Sequence, residues 1–225
     1  MTEPDPRWIA GPLFAAAMTL ALEHHAKQAR KRDNEPYIGH LLSVAGNVIE
    51  AGGSETQAAA ALLHDITEDQ HVPFEVIADK VSPQVAKIVE SCSEPVEPEG
   101  ADRKASWGSR KQAALNHLGA MDSDDPALLV KLADKVNNSE KAVRDFARWK
   151  QETGSADGFW GEFNAGDACQ QWWYTSLLDG FRAKEYTPLG QTLLGRFADA
   201  VDVLFGGRTV ARCTVDHGHG PDVQK

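Results

Sequence analysis

The sequence predicts an all-α protein. Apolar residues recur three and four positions apart along most of the chain. No segment alternates at period two for long enough to make a strand. Residues that start and stop helices punctuate the apolar runs.

Residues 9–32 read as one helix, with Phe14, Met18, Leu22 and His25 on one face, and "RDNEP" breaks it. Pro36 suits an extended entry to a helix over about 39–51, which "AGGS" ends. Ser54 is an N-cap with Gln57 at the third helical position, opening a helix that runs to about Asp69. "VPFEVIADKV" is helical, and Ser82 with Pro83 behind it starts the next helix, to about Ser93. "EPVEPEGADRKA" reads as a mobile surface loop. Helices follow at about 105–120 and 125–148, then a break at "QETGSADG" and two last helices in "CQQWWYTSLLDGFRA" and "TPLGQTLLGRFADAVDVLF". A single domain over 1–206 with a disordered tail over 207–225 is expected.

At 225 residues the chain can bury about 70% of its unfolded surface, and 42% apolar residues suit a globular protein. Lys plus Arg number 23 and Asp plus Glu 33, a net charge of −10. That argues against coating nucleic acid or an anionic membrane. Cys92, Cys169 and Cys213 form no CxxC pair, which points to reduced thiols, a cytoplasmic setting and no structural zinc. The acidic, Pro-bearing start is unlike a secretory signal, and Ile9 to Leu22 is too short to span a membrane.

The chemistry concentrates in "LLHDITED". On a continuous helix His64 would pair with Glu68 and Asp65 with Asp69, giving one wide polar face opposite Ala60, Ala61, Leu63 and Ile66. An imidazole beside a carboxylate can hold one divalent ion, and the mixed N/O set suits Mn, Fe, Zn or Mg. Further ligands are needed. His40 in "PYIGHLL" and Asp134 in "LLVKLADKVNNSEK" are candidates, with Asn138 on the same face as Asp134. Taken singly, each has an ordinary explanation. His40 suits a cap or a satisfied core histidine, and Asp134 a surface partner of Lys131 or Lys135. Glu68 and Asp69 read as a solvated helix end, although carboxylates at a C-terminus oppose the helix dipole. Arg30, Lys31 and Arg32 read as a basic helix end, and Trp172, Trp173 and Tyr174 as packing.

Taken together, "PYIGHLLSVAGNVIEAGG", "AAALLHDITED" and "LLVKLADKVNNSEK" resemble the HD-domain hydrolases of the alarmone (p)ppGpp. These comprise the hydrolase half of the Rel/Spo synthetase–hydrolases and the small stand-alone enzymes. The similarity runs from about Phe14 to Phe181 and includes "HAKQARK", "SWGSRKQAAL" and "WWYTSLLDGF". The absence of a second domain points to the small type. The resemblance implies an HD-domain helical bundle that removes the 3′-pyrophosphate to give GDP or GTP. It implies a metal, usually Mn²⁺, on His40, His64, Asp65 and Asp134. It places the Glu-Asp pair needed for hydrolysis on Glu68 and Asp69, and nucleotide contacts on Arg30, Lys31 and Asn138, with Arg110 aligned loosely. Such local cations would let a −10 chain hold a polyanion. Two departures stand out. Asp167 falls where a basic phosphate contact is expected, and "SCSEPVEPEG" is acidic. The alternatives are an HD phosphohydrolase acting on a deoxynucleotide, a cyclic nucleotide or NADPH, and a non-catalytic nucleotide sensor. A homo-oligomer stays open.

Overall fold

The computed structural model describes residues 11–30, 34–94 and 106–206. The predicted surface loop beyond Glu94, the residue Lys31 and the 207–225 tail lie outside them. Among the described residues the regular structure is helical, and an isolated bridge between Ala29 and Pro36 is the exception.

Helix α1 (Pro12–His25) starts on Pro12, whose fixed φ and missing N–H suit a first turn. It ends at His25 instead of near residue 32, because the chain folds back on itself. Arg30 N–H donates to Glu35 O and Tyr37 N–H to Gln28 O, at 2.8 and 2.9 Å. The turn carries Asn34 at φ +57°, a left-handed position that Asn tolerates. Helix α2 (Ile38–Glu50) follows. It closes at Gly52, with φ +79°, and Gly53, where a Cβ would meet Val48 Cγ1 at 2.5 Å and Val48 O at 2.8 Å. Only glycine fits that approach.

Helix α3 (Glu55–Leu63) begins with the predicted capping box. Ser54 Oγ accepts from Gln57 N–H, and Gln57 Oε1 accepts from Ser54 N–H. Its residues Ala58 to Leu63 are all fully buried. A helix apolar all round belongs at the centre of a core, and α3 packs against α1 and α2. Four consecutive alanines keep its surface thin enough for that company. The helix then breaks, and a short α4 (Ile66–Gln70) restarts it. Helix α5 (Phe74–Lys80) and α6 (Pro83–Cys92) pack on each other, and α6 also on α3. Ser82 Oγ caps α6 by accepting from Val85 N–H, as its sequence predicts.

Beyond these come α7 (Trp107–Ala120), α8 (Pro126–Thr153), a 3₁₀ turn (Phe159–Glu162) absent from the sequence expectation, α9 (Asp167–Arg182) and α10 (Pro188–Phe205). The chain divides into two compact units. The first comprises Met1–Ser93, Asp124–Asn137 and Tyr186–Leu193, the second Glu94–Ser123, Asn138–Glu185 and Leu194–Lys225. The core of the first is aliphatic: Leu20, Leu41, Val44, Leu62, Leu63, Ile66, Ile77, Leu128 and Leu132. The second is built on aromatics. Phe159 meets Phe146 and Trp160 edge-on at 5.1 and 4.7 Å, Trp160 stacks on Phe205 at 5.4 Å, and Phe181 meets Phe197 at 5.9 Å. Trp173 and Tyr174 are buried there, in keeping with packing. Asp167 occupies the first turn of α9, where a carboxylate complements the helix dipole. Cys92 is a free thiol, and Cys213 lies outside the described residues.

Candidate metal centre

The break between α3 and α4 sits on the His-Asp pair itself. His64 Nδ1 turns back to Ala61 O at 2.8 Å, one turn earlier in the same helix. Asp65 leaves the helical track at φ −104°, ψ −1°, and its carbonyl accepts from Asp69 N–H at 2.9 Å to begin α4. The expectation of one helix through Asp69 is therefore corrected, and a physical worry goes with it. Glu68 and Asp69 lie in the first turn of α4, where the dipole favours negative charge, and not at the C-terminal end of a long helix. The break also swings His64 and Asp65 onto a common point, which adjacent positions of an unbroken helix, about 100° apart, do not share.

Three segments of the first unit converge there. His40 comes from the first turn of α2, His64 and Asp65 from the break, and Asp134 from α8. Donor atoms of His40, His64 and Asp65 lie within 4.8 Å of one another. Asp65 Oδ2 is 3.0 Å from His64 Nε2 and 3.5 Å from His40 Nε2. Asp134 Oδ1 is 3.5 and 3.4 Å from the same two nitrogens. His40, His64 and Asp134 are buried, each under a tenth exposed.

The surroundings fix which atoms face inward. His40 Nδ1 meets Asn137 Oδ1 at 2.7 Å, and His64 Nδ1 meets a carbonyl. Each acceptor requires the proton on Nδ1, which leaves both Nε2 lone pairs aimed at the carboxylates. His64 Nε2 is buried and makes no hydrogen bond. Tyr37 OH donates to Asp65 Oδ2 at 2.5 Å, and Lys135 Nζ holds Asp134 Oδ2 at 2.6 Å, so Asp134 Oδ1 is the oxygen that faces the imidazoles. Burial opposes a charge on His64, but the Asp65 and Asp134 carboxylates outweigh it and hold its pKa well above the ordinary value. Burial likewise opposes charge on Asp65, and His64 and His40 hold its carboxyl well below the usual range. The pocket thus demands positive charge between its two carboxylates. A divalent cation meets that demand with two imidazole and two carboxylate donors already turned toward it.

Around this centre, Asp69 Oδ2 accepts from Gln28 Nε2 at 2.7 Å, and Arg30 Nη1 donates to Asn137 Oδ1 at 3.2 Å. Glu68 is half-buried, close enough to Lys131 to raise that lysine's pKa against the burial that lowers it. Asn138 is half-buried, one turn beyond Asp134. Arg110, in the second unit, is buried and paired with Glu94 Oε2 at 2.5 Å, and Lys111 holds Glu94 Oε1 at 2.6 Å. A cavity of about 290 Å³ in that unit, lined by Phe146, Asp157, Trp160, Asp167 and Leu204, includes none of the expected site residues. Sequence reasoning missed Tyr37, Asn137 and Gln28. Their signals were present as helical spacing: Tyr37 three before His40, Asn137 three after Asp134, and Gln28 three after His25.

An all-α frame with imidazoles and aspartates from separated motifs defines a divalent-cation site of the His-Asp kind. The family model described as HD domain matches residues 17–154, and the chain belongs to that family. The guanosine-3′,5′-bis(diphosphate) 3′-pyrophosphohydrolase MESH1 of Xenopus tropicalis is 35% identical over 156 residues, 62% of this chain and 82% of that protein. A probable guanosine-3′,5′-bis(diphosphate) 3′-pyrophosphohydrolase of Synechocystis is 32% identical over 130 residues, 56% of this chain. The chain spans 16% of that longer relative. A solved structure described as a metazoan ortholog of SpoT that hydrolyses ppGpp shares the fold, with a TM-score of 0.59 at 24% identity over 88% of this chain and 98% of that one. So does lmo0812 from Listeria monocytogenes EGD-e, with a TM-score of 0.59 at 22% identity over 74% and 98%.

Proposed function

We propose that the protein is a divalent-cation-dependent hydrolase that removes the 3′-pyrophosphate of (p)ppGpp, leaving GDP or GTP. The observation that carries this reading is the convergence of His40 Nε2, His64 Nε2, Asp65 Oδ2 and Asp134 Oδ1, with both Nδ1 atoms tied to acceptors. The names of the relatives in Xenopus tropicalis and Synechocystis supply the substrate. His40, His64, Asp65 and Asp134 are the residues that would hold the cation, and we take it to be Mn²⁺, which suits a mixed imidazole and carboxylate set. When bound, such a cation supplies Lewis-acid polarisation of a phosphoryl oxygen and acidifies water.

The chain's own residues do the rest. Glu68 and Asp69, at the start of α4, orient the attacking water and take its proton, a contribution of about 10²–10⁴-fold. Arg30 and Lys31 offset the charge of the nucleotide's phosphates or stack on its base, and Asn138 contacts the nucleotide. Arg110 meets a phosphate by exchanging it for Glu94. We take the two compact units to belong to one catalytic domain, because the matched family segment, 17–154, crosses both. No helix among the described residues is long and apolar enough to cross a membrane. A cytoplasmic setting goes with a nucleotide substrate.

The test is incubation of purified, Mn²⁺-loaded protein with ppGpp, scoring GDP and pyrophosphate, beside a panel of deoxynucleotides, cyclic nucleotides and NADPH. Asp65→Ala should abolish hydrolysis and strip the metal. Glu68→Ala should abolish hydrolysis and keep most of the metal. Full activity in either variant, or preference for another nucleotide in the panel, overturns the reading.

A further inference from the structure

Among the described residues of the proposed machinery Asp69 is exposed, and a half-buried chain of neutral side chains holds its carboxylate in place. Gln28 Nε2 donates to Asp69 Oδ2 at 2.7 Å. On its other side Gln28 Oε1 lies 2.5 Å from His25 Nδ1 and accepts from Gln70 Nε2 at 2.6 Å. Chemistry fixes every direction in this chain. A carboxylate only accepts, so Gln28 must turn its amide nitrogen to Asp69 and its oxygen toward His25 and Gln70. That oxygen in turn requires a proton on His25 Nδ1. His25 is 1% exposed, and burial holds its pKa below the ordinary value, so the ring is neutral. Its plane is fixed by stacking on Tyr37, with centroids 5.4 Å apart. The far nitrogen, Nε2, is buried without a hydrogen-bond partner. The fold leaves one nitrogen unsatisfied, an unfavourable arrangement, while the other stays aimed at Gln28.

We propose that Gln28, oriented by His25, is a positioning residue for Asp69. It holds the carboxylate in one orientation with a neutral donor. A lysine or arginine in its place would also orient Asp69, but would stabilise its charged form and blunt it as a proton acceptor. The arrangement therefore fixes the Asp69 carboxylate without setting a full positive charge beside it. This inference rests on the role given to Asp69 in the proposed hydrolysis.

Two substitutions separate positioning from packing. Gln28→Leu removes all three hydrogen bonds. Gln28→Glu keeps the shape and an acceptor for His25 and Gln70, and replaces the donor facing Asp69 with a negative charge. Positioning predicts that kcat for ppGpp falls about 10–100-fold in both variants, at least as far in Glu as in Leu. KM and the Mn²⁺ dissociation constant, measured by calorimetry, should stay within about threefold of the parent. In the NMR spectrum of the metal-free protein, the protected His25 ring N–H signal should persist in Gln28→Glu and be lost in Gln28→Leu. A parent-like kcat in either variant, or a Glu variant clearly more active than the Leu variant, overturns the proposal, since a packing role would favour the variant that keeps the inner bonds. Should Gln28→Leu fail to fold, Gln28→Glu alone decides by the same kcat threshold. Asp69→Asn serves as the reference. If it hydrolyses ppGpp at the parent rate, the role given to Asp69 fails and the inference with it. If it is inactive while both Gln28 variants keep the parent kcat, the inference alone fails.

Discussion

Replacing Tyr37 with phenylalanine is the sharpest probe of the metal centre. The hydroxyl donates to Asp65 Oδ2, the same oxygen that lies 3.0 and 3.5 Å from the two inward imidazole nitrogens. Burial and the Asp65 and Asp69 carboxylates push the Tyr37 phenol far above its ordinary pKa, so it is a permanent donor. Phenylalanine keeps the ring that stacks on His25 and meets His40 edge-on at 5.2 Å, so the packing survives and one bond is lost. A hydrogen bond to a charged group contributes about 1.5–3 kcal/mol. Loss of a group that orients a metal ligand weakens binding about 10–100-fold, or about 1.4–2.7 kcal/mol. The two figures agree. Titrating MnCl₂ into chelator-stripped Tyr37→Phe should therefore give a dissociation constant raised by about 10–100-fold. The metal-free variant should melt several degrees lower, at about 2–4 °C per kcal/mol for a chain of this size. A dissociation constant within twofold of the parent would show that Asp65 needs no help to face the cation, and the reasoning would fail.

Asn137→Leu removes the acceptor shared by His40 Nδ1 and Arg30; Mn²⁺ affinity in calorimetry should fall about tenfold or more, while Asn137→Asp stays near the parent. Ser54→Ala breaks the capping box of α3 and should lower stability by about 1 kcal/mol, read as a shift in the urea midpoint at unchanged slope. Leu63→Ala opens a cavity at a fully buried position and should cost about 2–5 kcal/mol in the same assay. Burial pushes the Cys92 thiol up to about 11. At pH 8 only about one molecule in a thousand carries the thiolate, so mass spectrometry should find Cys92 alkylated at least ~100-fold more slowly folded than in urea.

What the sequence made legible was local chemistry. The Ser54 and Ser82 caps, with Pro83 behind the second, are set by contacts three residues long, and both stand in the structure as their side chains dictate. The donors His40, His64, Asp65 and Asp134 were readable as a set because few other reasons place imidazoles and aspartates in that order. The break at His64 was hidden, because "AALLHDITED" keeps its helical period straight through it. At the break an imidazole bonds a carbonyl of its own preceding turn, a contact the helical period does not reveal. The early end of α1 was hidden for a similar reason. "HAKQAR" has good helix formers, and the fold-back comes from backbone pairing with residues after Arg30. Tyr37, Asn137 and Gln28 escaped notice because each has an ordinary packing role when considered alone. Their importance appears only in the atoms they touch. Arg110 was singled out for its charge, and its pairing with Glu94 was not legible, because the two lie sixteen residues apart.

The run of alanines in α3 has a consequence for how the protein can change. A helix sheathed in methyl groups and enclosed by close neighbours is a pedestal: any larger residue from Ala58 to Ala61 would have to push whole helices apart. The imidazole mounted at its end inherits that rigidity, so the centre should discriminate between cations by their preferred geometry more than by charge. Adaptation to new substrates must then come from the other rim, where Gln28 and Arg30 hang on a bridged turn with no such sheath.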